Sequence, residues 1–384
     1  MYAETAVIRV HRDLQVHTWF YPNPAAESTI ILVNGSLATS ASFGQTLRYL
    51  RPLFNVVLFD QPYSGHSRTH NSNHLLIGKE DEALILLDLI EHFRADQVLS
   101  FSWGGVATML ALAQRPDRIK RATITSFSPI INPAMHDYLS RGKTCLAACD
   151  RQQIGNLINE TIGEHLPPLF KRCNFRHVSS LDEHEYAQML LHIRQVLDLD
   201  SSQYMSCVSN IDIPLLFVNG SWDKYTSAED ALHFGKLAPR AQFASIAHTG
   251  HFLDLEHKTA WQDTKAVVEA FILSDPLQPQ TKAQPLMLCS ASDGRFFCSG
   301  VHRVEHGGFS AGSFSAQANQ LLDLAVREYV KLIILDRFQG LFGNINCLNL
   351  ALLHCCLGHF SPLEHHFARL DGIRFVRRAV ALGI

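Results

Sequence analysis

The run Gln97-Val98-Leu99-Ser100-Phe101-Ser102-Trp103-Gly104-Gly105 constrains this chain more than any other segment. An apolar strand turns once and passes directly into a helix, which continues as Val106-Ala107-Thr108-Met109-Leu110-Ala111-Leu112-Ala113. Strand and helix backbones meet at such a turn, so the residues around it must be small. Gly104 supplies the position two after Ser102, and Ser100 stands where glycine is usual two before it. A serine at this apex is held in strained backbone with its hydroxyl above the sheet, where it can act as a nucleophile.

Two later segments supply partners for that serine. Pro214-Leu215-Leu216-Phe217-Val218-Asn219-Gly220 reads as a buried strand that delivers Asp223 just past its C-terminal end. Residues 241–247 read as another strand, followed by His248-Thr249-Gly250-His251-Phe252-Leu253. Serine, acid, then histidine, each beyond the C-terminal end of a strand, is the chain order of the α/β-hydrolase triad. Ser102 is the candidate nucleophile and His251 the base that takes its proton. Asp223 is the acid that orients His251 and stabilises its imidazolium form. Attack on an acyl carbonyl creates an oxyanion that needs backbone N–H donors. Trp103, directly after the nucleophile, gives one. The loop after the strand at 28–35 gives the other, at Ser36, with Leu37 as the alternative.

Nearby polar residues have plainer readings. Asp60 precedes Gln61-Pro62-Tyr63-Ser64-Gly65 and reads as a turn former. His248 lacks the preceding glycine that marks His251. Asp254 and Glu256 are expected at the start of the final helix, where acids complement the dipole.

From the start to about residue 274, strand-like and helical runs alternate, which predicts a mostly parallel sheet with helices on both faces. The alternation stops between about 130 and 208, where only helical patterns occur, such as 134–146, 153–162 and 185–197. This insertion is expected to be a helical lid over Ser102 that shapes an apolar acyl tunnel. The predicted fold is thus an α/β-hydrolase domain over 1–275 with an inserted lid. Residues 276–284, rich in proline and glutamine, read as a linker. Residues 285–384 form an extension with no role assigned, expected to pack poorly on the domain. It holds five of the nine cysteines, and its group His354, Cys355, Cys356 and His359 matches no standard metal spacing.

With 384 residues and 47% hydrophobic content, the chain can bury a large core. A net charge of −3 argues against a nucleic-acid binder or a polybasic membrane surface. The N-terminus lacks a basic region followed by an apolar run, and no stretch is long enough to span a bilayer. These features imply a cytoplasmic protein, with Cys145, Cys149, Cys173 and Cys207 as reduced thiols and no metal site.

Several blocks carry a family resemblance: Asn34-Gly35-Ser36-Leu37-Ala38-Thr39, Phe54 to Gly65, Ser100 to Gly105, and Gly250-His251-Phe252-Leu253-Asp254. On these the chain resembles the 3-hydroxyacyl-ACP:CoA transacylases and 3-hydroxyacyl-ACP thioesterases of medium-chain polyhydroxyalkanoate synthesis, where ACP is acyl carrier protein. The related 3-(3-hydroxyalkanoyloxy)alkanoic acid synthases of rhamnolipid synthesis share the same blocks. The lid segments Tyr138 to Gly142, Cys145 to Asp150 and Phe170 to Asp182 are more similar to the transacylases. The resemblance runs to about residue 275. It implies that an (R)-3-hydroxyacyl chain of about ten carbons passes from ACP to Ser102, and then to coenzyme A or to water. ACP and coenzyme A are the implied partners, with no bound cofactor. Ester formation between two hydroxyacyl chains is the rival within the enzymes, and a non-catalytic acyl-binding protein is the rival outside them.

The same family carries a histidine and an aspartate separated by four residues, here His177 and Asp182, a spacing associated with glycerolipid acyltransferases. On a helix, a step of five residues turns about 140° around the axis, so the two would not face each other. A role in the lid or beside the acceptor is the preferred reading. Lys171, Arg172 and Arg176, next to Leu169 and Phe170, are candidates for docking the acidic carrier protein.

Overall fold

The computed structural model describes residues 2–72, 75–197 and 207–274, together with the backbone of 287–289. Its central sheet has nine strands in the order β1-β2-β4-β3-β5-β6-β7-β8-β9. These are β1 (Glu4–Val10), β2 (Leu14–Tyr21), β3 (Thr29–Val33), β4 (Asn55–Phe59), β5 (Gln97–Phe101), β6 (Arg121–Thr125), β7 (Leu215–Gly220), β8 (Ala241–Ile246) and β9 (Met287–Cys289). The pairs β1–β2 and β2–β4 are antiparallel, and every later pair is parallel.

Why these runs form strands follows from where their side chains go. Successive residues of a strand point to opposite faces. Ile31, Val33, Val57, Phe59, Val98 and Phe217 enter one core, beneath α2 (Lys79–Phe93) and α3 (Gly104–Leu112). Their neighbours Ile30, Leu32, Val56, Leu58, Leu99, Leu216 and Val218 enter the other. That second core lies beneath α1 (Gly44–Leu50) and the final helix. Both faces are covered, so the strands read as continuous apolar runs rather than alternating ones.

The edge hairpin β1–β2 is not among the strands expected from the sequence. Its turn is built by Arg12 and Asp13 at φ 58° and 61°, without the glycine that would signal it. The available sign was the alternation of the buried Leu14, Val16 and Thr18 along β2.

Between β6 and β7 the chain forms only helices among the described residues: α4 (Pro133–Ala147), α5 (Arg151–Glu160), α6 (Pro168–Ser180) and α7 (Glu183–Leu197). Their starts are written locally. Asn132 and Asp150 cap α4 and α5 by accepting the N–H groups of Met135 and Gln153. Asp182 and Glu185 make a reciprocal box at α7, each side chain accepting the other's N–H, at 2.9 and 3.0 Å. Tyr138, Leu157, Ile158, Tyr186 and Ile193 give this lid a core of its own. The chain then returns to the sheet, with the single turn α8 (Ala228–Ala231) before β8 and α9 (Lys258–Ile272) after it.

The backbone of β9 pairs in parallel with β8, Ala244 with Met287 through Ile246 with Cys289. The linker expected at 276–284, the rest of the extension and the His354–His359 group lie outside the described residues.

Candidate active site

Ser102 occupies the junction of β5 and α3 with φ 51°, a left-handed conformation uncommon for a residue with a Cβ. Neighbouring strands over-determine it: its N–H donates to the Thr125 carbonyl at 2.9 Å, and its carbonyl receives Gly105 N–H at 2.8 Å. The end of β3 crosses directly below. A Cβ on Gly104 would lie 2.5 Å from the Asn34 carbonyl oxygen and 2.6 Å from that of Val33, so only glycine fits.

The acid and the histidine come from adjoining strand ends pressed together. A Cβ on Gly220 would sit 2.1 Å from the carbonyl oxygens of both Thr249 and Gly250. This closeness brings Asp223, Ser102 and His251 into one relay. His251 Nε2 is 3.0 Å from Ser102 Oγ, and His251 Nδ1 is 2.8 Å from Asp223 Oδ2. Both Asp223 and His251 are buried. Asp223 Oδ1 accepts the Tyr225 and Thr226 N–H groups, and Oδ2 accepts the Thr226 hydroxyl at 2.6 Å. Burial alone would push this carboxyl up. Facing His251 and the Thr226 donors, it is held below the usual carboxylate range. An ionised Asp223 fixes a proton on Nδ1, which leaves Nε2 free to accept the serine proton.

The histidine loop is braced on two sides. The Ser126 hydroxyl donates to the His251 carbonyl at 2.6 Å. The Glu256 carboxylate accepts the N–H groups of Gly250 and Phe252, at 2.7 and 3.0 Å, thereby clasping the residues on either side of His251. This corrects the reading of Glu256 and Asp254 as dipole-facing acids of the final helix. That helix starts at Lys258 and is capped by His257. Asp254 turns inward instead, its Oδ2 accepting the Thr46 and Tyr49 hydroxyls. Its Oδ1 is buried without a partner among the described residues, and burial pushes its pKa up to about 6. Asp60 organises the loops after β3 and β4 by accepting Ser40 and His66 N–H groups, at 2.7 and 2.9 Å. His248 lies exposed against Trp222, away from the relay.

Among the described residues, neither the Trp103 nor the Ser36 N–H is hydrogen-bonded to a protein group. Next to Ser36, Leu37 sits at φ 58°, and its carbonyl accepts from His177 Nε2 at 2.6 Å. The Ser36 hydroxyl meets the Met189 sulfur of α7, so the lid closes directly on this loop.

Under the lid is a small pocket between α6, α7 and the loops after β3 and β4. Leu37, Leu181 and Met189 line it alongside Ser36, Gln188 and His192, and the surface these residues present to it is mostly apolar. His177 and Asp182 are not joined. His177 is bound to the Leu37 carbonyl, and Asp182 caps α7 and pairs with Arg68. The basic group on α6 is also divided. Arg172 and Arg176 are exposed, whereas Lys171 is half-buried with its ammonium donating to the Glu164 carbonyl at 2.7 Å.

The sequence reading passes over a second buried polar group, around Glu82 of α2 and His192 of α7. Its available sign was a polar residue on an otherwise apolar helix face, beside Ala83, Ile85 and Leu86 or beside Met189 and Ile193. Among the described residues, no group of three His, Cys, Asp or Glu could hold a metal ion, and no helix is long and apolar enough to cross a membrane.

Comparison with known proteins adds to this geometry. A family model for the alpha/beta hydrolase fold matches residues 28–258. The chain is 60% identical over 288 residues to the (R)-3-hydroxydecanoyl-ACP:CoA transacylase of Pseudomonas aeruginosa, covering 74% of this chain and 96% of that protein. It is 57% identical over 286 residues to the Pseudomonas putida protein of the same name, covering 74% and 97%. Among solved structures it is similar to MGS-M2, an alpha/beta hydrolase from a Medee basin deep-sea metagenome library. The TM-score is 0.60 at 16% identity, over 72% of this chain and all of that one (100%). The esterase RhEst1 from Rhodococcus gives 0.57 at 17% identity, over 71% and 99%.

Proposed function

This chain belongs to the alpha/beta hydrolase family, and from that premise we propose that it moves an (R)-3-hydroxydecanoyl group from acyl carrier protein to coenzyme A through an ester on Ser102. The observation that carries this reading is the relay Ser102–His251–Asp223, its acid and base buried, in a chain so similar to named transacylases.

The chemistry runs in two symmetrical halves. His251 Nε2 takes the Ser102 proton as the oxygen attacks the thioester carbonyl carbon. The oxyanion is received by the Trp103 and Ser36 N–H groups, each such donor worth about 3 kcal/mol in the transition state. The C–S bond breaks, and the carrier's pantetheine thiol departs with the proton held by His251. The coenzyme A thiol then enters and gives its proton to His251. Its sulfur attacks the ester carbon, and Ser102 leaves with that proton. Water in place of the second thiol would give a free acid, so access to the ester decides the product.

The carrier's acidic surface suits Arg172 and Arg176, exposed on α6 of the lid. Lys171, tied to the lid backbone, contributes less to docking. Coenzyme A acts as a co-substrate, with no resident cofactor required.

Incubation with 3-hydroxydecanoyl-ACP, with and without coenzyme A, followed by mass spectrometry, tests the reading. It expects acyl-CoA formation that depends on coenzyme A. Free acid in both arms would make the protein a thioesterase, the dimeric ester would make it an ester synthase, and no product would leave only acyl binding.

A further inference from the structure

The acyl-transfer chemistry makes no use of the buried polar group behind Trp103. Glu82 is 1% exposed. Its Oε2 accepts the Trp103 indole N–H and its Oε1 accepts the Tyr63 hydroxyl, both at 2.8 Å. Burial and the Glu82 charge hold the Tyr63 phenol well above its ordinary range, so it remains a donor. His192 is equally buried, and its ring stacks on the Trp103 indole with centroids 4.2 Å apart and planes 16° from parallel.

The neighbours of this ring occupy one of its two nitrogens. The Gln188 amide is set by the backbone of Ile77: its Oε1 accepts the Ile77 N–H at 2.9 Å and its Nε2 donates to the Ile77 carbonyl at 2.6 Å. The remaining hydrogen on that Nε2 meets His192 Nε2 at 2.6 Å. His192 Nε2 is thus engaged, with Glu82 Oε1 also 3.1 Å away, and Nδ1 is the ring nitrogen left over. That Nδ1 is buried and has no partner among the described residues. A buried polar atom of this kind costs about 1–3 kcal/mol when unpaired, and a ligand hydroxyl, which can donate or accept, would satisfy it.

We propose that Nδ1 of His192 binds the C3 hydroxyl of the acyl chain, an inference that rests on the acyl-transfer reading of the site. His192 lines the cavity under the lid together with Ser36, whose N–H is assigned to the oxyanion. Trp103 joins the two functions: its backbone N–H faces the carbonyl oxygen, while its indole fixes the ring that receives the hydroxyl. The carbonyl and a hydroxyl two carbons away are thus read by one rigid unit.

The test compares kcat/KM for 3-hydroxydecanoyl-ACP and decanoyl-ACP with coenzyme A as acceptor. The wild-type protein should prefer the hydroxylated chain by about 30-fold, the size of one well-placed hydrogen bond in a buried site. His192→Gln, which keeps a polar group only at the Nε2 position, should lose that preference through the hydroxylated substrate alone. His192→Asn, whose amide falls at the Nδ1 position, should retain much of it. Equal turnover of both chains by the wild type, or equal losses on both in the Gln variant, would overturn the assignment and leave the acyl-transfer reading standing. Turnover of neither would overturn both. Binding to Ser102→Ala protein with His192 intact gives a check free of lid variants: the pantetheine thioester of (R)-3-hydroxydecanoate should bind about tenfold more tightly than that of decanoate. Equal binding would likewise overturn it.

Discussion

Buried polar groups are held by backbone at the strand ends and by side chains under the lid. Asp223 takes two backbone N–H groups besides its histidine, and Glu256 grips the backbone on both sides of His251. Glu82 meets an indole, a phenol and an imidazole, and only Gln188 reaches the main chain. Groups clasped by backbone tolerate little change in their loops, because every neighbour is a fixed peptide. Groups clasped by side chains depend on helix packing, and the lid can repack without disturbing the sheet. Damage at the strand ends should therefore abolish chemistry, while damage in the lid should change which substrate is used and how it arrives.

The sharpest break would come at the relay. Ser102→Ala should lower kcat by about 10⁵- to 10⁶-fold, and His251→Ala by a similar factor, with unchanged thermal unfolding. His177→Ala, in the lid, should cost less than about tenfold, since it loses one hydrogen bond to the Leu37 carbonyl. A larger loss at His177 than at His251 would reverse the contrast between the two regions.

The brace on the histidine loop gives the next largest effect. Glu256→Ala leaves two buried N–H groups without an acceptor and frees the loop that carries His251. We expect kcat to fall by about 10- to 100-fold with little change in KM, because a misplaced base weakens the transition state more than substrate binding. A KM effect alone would place Glu256 in substrate binding.

Charge reversal on the lid should act more mildly. Arg172→Glu with Arg176→Glu should lower kcat/KM for the carrier-bound substrate by about tenfold at low salt and flatten its salt dependence. Activity on a small pantetheine thioester should stay within about twofold. Equal losses on both substrates would point to a disturbed lid.

The smallest effect is on stability, at Asp254. Its carboxyl releases its proton near pH 6 in the folded chain, against the ordinary 3.8. Between these values the folded state keeps a proton that the unfolded state has lost, so stability falls as pH rises from about 4 to 6 and stays lower above. Asp254→Asn removes this penalty. It should raise stability by about 1–2 kcal/mol at pH 8 and by nothing at pH 4, read as a shift of a few degrees in thermal midpoint. A gain of the same size at both pH values would exclude charge burial as the cause.

The relay was legible because each member follows a buried apolar strand, and strand ends are marked by local composition. The hairpin β1–β2 was hidden by a turn made of Arg12 and Asp13, which carry no turn signal. The inward turns of Asp254 and Glu256 escaped notice because hydroxyl and N–H donors brought in by other segments decided them. The make-up of the pocket under the lid was out of reach because it takes much of its lining from loops more than a hundred residues earlier.

The sequence alone determined the parallel sheet, the helical insertion and the chain order of Ser102, Asp223 and His251, since period, turn chemistry and strand ends are local properties. Tertiary structure decided the rest. Whether Glu82 and His192 form a unit depends on α2, the serine turn and α7 meeting in space, with partners 110 residues apart in the chain. Such contacts are set by packing, and no spacing rule along the chain encodes them.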